Sequence, residues 1–157
     1  MQLLLRQPAS ALLEDGMTAE VAASPDSPGR ERWQWDVRLE HTPLDASDAL
    51  SAHLVGAGIG DHYVNVRFDP EVISADLSRV RVPTQDVLQR DERELWVAIV
   101  ENGRMFEGIF DVTPGDVAIW EGDDPVRIPV GSRGDDDAEI VLVRIWRRDG
   151  RSLRWVP

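Results

Sequence analysis

The segment HYVNVRF, residues 62–68, carries three side chains suited to holding a small polar molecule. A two-residue period sets Tyr63, Asn65 and Arg67 on one face and Val64, Val66 and Phe68 on the other. A phenol offers stacking, an amide both donates and accepts, and a guanidinium grips a carboxylate through two hydrogen bonds. The ligand this trio suits is a small anionic or zwitterionic metabolite; the other reading of the same face is plain exposure to solvent. Glu107, within RMFEGIF at 104–110, joins the candidates because its carboxylate points inward if Met105, Glu107 and Ile109 share a face. A buried carboxylate must be paired or protonated, which suits either a pocket or a salt bridge to Arg104 or Arg144. Glu20, in TAEVAA, poses the same choice. Trp120 could supply an apolar wall to a pocket, or fill a core layer with Trp96 and Trp146.

Other chemistries are poorly served. Histidine occurs at 41, 53 and 62 with no His-x-His pair, and there is no cysteine, so thiolate sites and disulfides are excluded. A residual metal set would draw on His53 or His62 with Asp61 and Glu107, but the expectation is no metal and no cofactor. All 17 basic residues are arginine, which removes Schiff-base chemistry and a P-loop lysine. The cluster Gly56, Gly58 and Gly60 reads as a turn rather than a dinucleotide loop, and neither Ser51 nor Ser132 lies in a Gly-x-Ser-x-Gly context.

The formal charge of −12 is spread along the chain, with 13 acidic against 6 basic residues in 1–80 and 16 against 11 in 81–157. Such a field opposes phosphate backbones and anionic lipid, so neither nucleic acid nor membrane is the expected partner. Leu3 to Leu5 are too short a run for a signal segment, and no stretch approaches the ~18 apolar residues of a span; cytoplasmic residence is the expectation.

The elements that must position these residues read as strands. RWQWDVRLE at 32–40 alternates Trp33, Trp35, Val37 and Leu39 with polar residues. Further short strands are expected at 18–23, 62–68, 95–100, 104–110, 116–120, 126–130 and 139–146. Asn102-Gly103 suggests a hairpin between the strands flanking it. Residues 44–54 read as a helical turn or loop, 81–92 as a polar connector between two β halves, and 131–138 as an exposed acidic loop. Pro114-Gly115-Asp116 turns the chain into Val117–Trp120: proline presets φ, glycine tolerates positive φ, and aspartate bonds nearby amides. Many short strands without a long periodic helix predict one all-β domain over 1–157, a barrel or a sandwich.

The Pro-Gly-Asp turn resembles one found before a late strand in the cupin superfamily. Within that superfamily the chain is similar to the HutD/Ves family of small bicupin-like bacterial proteins. Gly16, Thr18, Glu20 and Val21 match its first element, Trp35 and Arg38 its second, and ENGRMFEGIFDVTPGDVAIWEGD at 101–123 its closing strands. Glu14-Asp15 stands where that family has Lys-Asn. The resemblance implies a cupin-like barrel or a compact bicupin-like β-sandwich, and a non-catalytic or regulatory protein recognising a small polar metabolite. Two alternatives are a metal-independent enzyme with a carboxylate in its barrel pocket, and a structural protein that forms a homodimer without a ligand.

Overall fold

The computed structural model describes residues 3–5, 19–23, 34–44, 52–54, 58–59 and 62–153. Among these the chain is all-β. Its strands are β1 (Leu3–Leu5), β2 (Ala19–Ala23), β3 (Trp35–Glu40), β4 (Ala52–Leu54), β5 (Gly58–Ile59), β6 (His62–Phe68) and β7 (Ile73–Val82), then β8 (Asp86–Gln89), β9 (Leu95–Asn102), β10 (Met105–Glu107), β11 (Phe110–Val112), β12 (Val117–Trp120), β13 (Arg127–Ser132) and β14 (Ala138–Arg147). They form three antiparallel sheets: β1-β12-β9-β14-β7, β11-β10-β13-β8, and β2-β3-β6-β4 with β5 also on β6. No helix of the described residues is long and apolar enough to cross a membrane.

The first sheet explains why β9 is apolar at successive positions rather than alternate ones. Leu95, Val97 and Ile99 enter one core cluster with Trp35, Val37, Leu39, Val64, Val66 and Phe68 of the third sheet. Trp96, Ala98 and Val100 enter a second cluster with Met105, Val112, Ile128 and Val130 of the second sheet. A strand whose two faces both meet apolar neighbours has no face left to mark with polar residues. β14 does the same, with Val141, Val143 and Ile145 on one side and Ile140 and Leu142 on the other.

β7 divides its apolar residues by length instead. Ile73, Ala75 and Leu77 pack on the first cluster, whereas Val80 and Val82 pack on the second. That change of parity hides β7 from a search for simple alternation, and no strand is expected there from the sequence. Residues 81–92 are correspondingly not a polar connector: they hold the end of β7, a corner at Pro83, and β8, which pairs with β13.

Three other expectations change. Asn102-Gly103 does turn the chain, with Gly103 at φ 74°, but β9 and β10 do not form a hairpin. β9 pairs with β12 and β14, while β10 pairs with β11 and β13, so the turn carries the chain from one sheet to another. Residues 104–110 are two strands, because Gly108 at φ 58° breaks them into a hairpin of β10 and β11. In 44–54 the last three residues are strand β4 rather than helix or loop, and 45–51 lie outside the described residues.

The Pro-Gly-Asp corner is built as its residue types suggest. Gly115 has φ 87°. The carboxylate of fully buried Asp116 accepts from both the amide and the hydroxyl of Thr113 at 2.9 Å. The Gly115 amide donates to the Val100 carbonyl at 2.9 Å, which fastens the corner to β9. At another corner the buried Arg90 donates to the carbonyls of Glu94 at 2.6 Å, Gly122 at 3.1 Å and Asp124 at 2.5 Å, joining the β8–β9 and β12–β13 connections.

Candidate functional site

β3 and β6 pair in register as Asp36 with Arg67, Arg38 with Asn65 and Glu40 with Tyr63. Because Trp35, Val37 and Leu39 fill the core, their alternate neighbours must lie on the opposite face, beside Tyr63, Asn65 and Arg67. The result is a polar face with two carboxylates and two guanidinium groups. An Arg67 terminal nitrogen donates to both oxygens of Glu40 at 3.0 Å, and its other one stands 3.6 Å from Asp36. Arg38 contacts the same aspartate at 3.4 Å.

This face is only partly wet. Asp36 and Asn65 are buried, the Glu40 side chain is 16% exposed, and those of Arg67 and Arg38 are 27% and 36% exposed. Asn65 uses its amide locally: its nitrogen donates to Glu40 and to the Thr42 carbonyl at 2.9 Å, and its oxygen accepts from the Leu44 amide at 3.3 Å. Asn65 thus orients Glu40 and braces residues 41–44, while the guanidinium groups remain accessible. Tyr63 is half-buried at the end of the face. Beyond it the rings of His41 and His62 meet at 4.5 Å, tilted by 49°.

Two further sequence candidates lie on the strands that flank this pair. His53 on β4 pairs with Arg67, and Glu20 on β2 pairs with Arg38. Asp61 and Ser51 lie outside the described residues, as does Trp33. Among the described residues no group of three His, Cys, Asp or Glu side chains is placed to hold a metal ion.

Glu107 and Trp120 lie elsewhere. Glu107 is half-buried on β10, opposite Val130 and Phe110. Ile109 does not share its face, since it sits in the turn after Gly108 and is 89% exposed. The arginines expected near Glu107 are engaged with other carboxylates, Arg104 with Asp111 at 3.2 Å and Arg144 with Asp76 at 2.7 Å. Trp120 is fully buried in the second core cluster, directly across from Trp96. Trp146 is half-buried on β14 and is not part of that cluster.

Asp36, Arg38 and Glu40 join Tyr63, Asn65 and Arg67 only through the pairing of β3 with β6. Their signal was present in the alternation of WQWDVRLE, but which strand would lie beside β6 is a long-range fact that local periodicity does not contain. Ser132, also weighed from the sequence, is buried at the end of β13. No protein-family model, curated protein or solved structure matches the chain.

Proposed function

We propose that the chain is a metal-free, non-catalytic binding protein of cupin-like build, which recognises a small zwitterionic metabolite on the polar face of β3 and β6. The strand orders β12-β9-β14-β7 and β11-β10-β13-β8, with β7 to β8, β9 to β10, β11 to β12 and β13 to β14 each crossing between the sheets, support an eight-stranded jelly roll over residues 73–147. Its interior side chains include Trp96, Trp120, Met105 and Ile128, all buried in one cluster. The jelly roll acts in this reading as a scaffold, and the polar face of the third sheet does the recognition.

The observation that carries this reading is the balance of charge on a largely shielded face, Asp36 and Glu40 against Arg38 and Arg67. A zwitterion can enter by exchange: its carboxylate replaces Glu40 on Arg67, and its ammonium takes up the released Glu40. The one Arg67–Glu40 pair is replaced by two, so neither group is left desolvated and unpaired. An anion without a cationic group would free Glu40 and leave it uncompensated; a zwitterion is therefore favoured over a simple carboxylate.

A calorimetric screen of amino acids and their deaminated products, against the native protein and Arg67→Ala, tests the assignment. The expected result is a zwitterionic binder whose affinity falls about tenfold or more in Arg67→Ala, as for loss of a charge-assisted hydrogen bond, with the variant still folded by circular dichroism. No binder in the screen, or one indifferent to Arg67, would remove the site.

A second reading rests on a separate observation. The large apolar side chains that are exposed among the described residues are Val87 on β8, Ile109 and Phe110 at the β10–β11 turn, and Val126 just before β13. All belong to the second sheet or its connections, so that sheet is the surface through which copies of the chain would associate.

A further inference from the structure

We propose that a second site, distinct from the β3–β6 face, binds a small organic phosphate bearing a planar ring in the cleft where β14 ends. Residues 144–157 hold five arginines and one acidic residue, in a chain whose overall charge is −12. The end of β14 and the turn after it form, with the β8–β9 connection, a cleft of about 330 Å³. Its lining includes Arg93, Trp146, Arg147, Arg148 and Gly150. That volume is at the low end of small-molecule sites, which run from about 300 to 1,000 Å³.

The three arginines differ in how far they are committed. Arg147 is tied down: its guanidinium donates to both oxygens of Asp149, at 3.0 and 2.8 Å, and to the Gln34 side chain at 3.4 Å. That bond holds the Asp149 carboxyl well below the usual carboxylate range, helped by the Arg151 amide, so the one acidic residue of the segment stays ionised and neutralises Arg147. Arg93 and Arg148 are less used. Arg148 makes one long bond, from Nε to the Ile73 carbonyl at 3.4 Å, and Arg93 stands 3.9 Å from Asp91. Arg93 also lies against the turn, since a Cβ built on Gly150 would be 3.6 Å from its terminal nitrogen.

Two guanidinium groups with donors to spare match the two negative charges and several acceptor oxygens of a phosphomonoester. Trp146, half-buried in the wall, provides the surface on which a planar ring stacks. Asp91 and Glu94 also line the cleft but face other work: Asp91 accepts from the Arg93 amide at 2.9 Å and Glu94 from the Trp96 indole at 2.6 Å. The phosphate is therefore assigned to Arg93, Arg148 and Gly150, and the ring to Trp146.

The test uses adenosine monophosphate, ribose 5-phosphate and adenosine as probes, followed by calorimetry and by the Trp146 indole resonance. The monophosphate should bind most tightly, the sugar phosphate more weakly, and the nucleoside least. Arg93→Gln and Arg148→Gln should each weaken the monophosphate by about tenfold, while Arg67→Ala leaves it unchanged. Binding that shifts no Trp146 resonance, binding insensitive to both cleft variants, or no binding at millimolar concentration would each overturn the proposal. An Arg67-dependent signal would also overturn it, by assigning the anion to the other face.

Discussion

An ideal Cβ on Gly115 would meet nothing within 4 Å, so the cost of a side chain there arises from the backbone alone. At φ 87° a β-branched residue is strained. Gly115→Val should lower unfolding free energy by about 1 to 3 kcal/mol in urea titration, and an unchanged midpoint would contradict a constrained corner. This position was legible from residue types, because Pro, Gly and Asp each act locally. Asp149 offers a second residue-scale check. Its folded pKa lies below the unfolded value of about 4, so the stabilisation from its pair with Arg147 is fully present above that pH. It disappears as pH falls through the folded value. Carboxyl NMR titration should find Asp149 still ionised when ordinary aspartates have protonated, and Arg147→Gln should raise its pKa towards the ordinary range.

At the scale of elements, the corners between sheets bear the load that short strands cannot. Arg90→Met would leave the carbonyls of Glu94, Gly122 and Asp124 without their donor, and should cost on the order of 3 kcal/mol in chemical unfolding. A loss near zero would mean that water substitutes for the guanidinium. Gly131 is a different kind of glycine from Gly115. A Cβ there would stand 2.2 Å from the Thr84 carbonyl and 2.5 Å from the Phe106 ring, against which Arg133 also packs at 5.5 Å. Gly131→Ala should therefore destabilise by about 1 to 3 kcal/mol through overpacking, and more than Gly115→Ala. The strands with one dry face, such as β3 and β6, could be read from alternation. β7 could not, because its apolar residues change face halfway, and the split of 104–110 turned on a single Gly108.

At the scale of the molecule, three sheets of the described residues share two cores through the first sheet, and both proposed binding sites lie outside those cores. The excess of acidic residues disfavours long-range attraction of anions, so each proposed binding site would depend on arginines held locally. If the second sheet is also a self-association surface, Ile109→Asp should convert any dimer to monomer in light scattering without shifting the unfolding midpoint; a monomeric native protein at high concentration would remove that role. The β3–β6 site was half legible: Tyr63, Asn65 and Arg67 stood out by period, whereas Asp36, Arg38 and Glu40 join them only through pairing between distant strands. The most direct measurement is amide NMR of the native protein titrated with the tightest zwitterion from the screen. The largest shifts should fall on residues 36–40 and 63–67, and they should vanish in Arg67→Ala. Shifts confined to other strands, or preserved in that variant, would contradict the β3–β6 site.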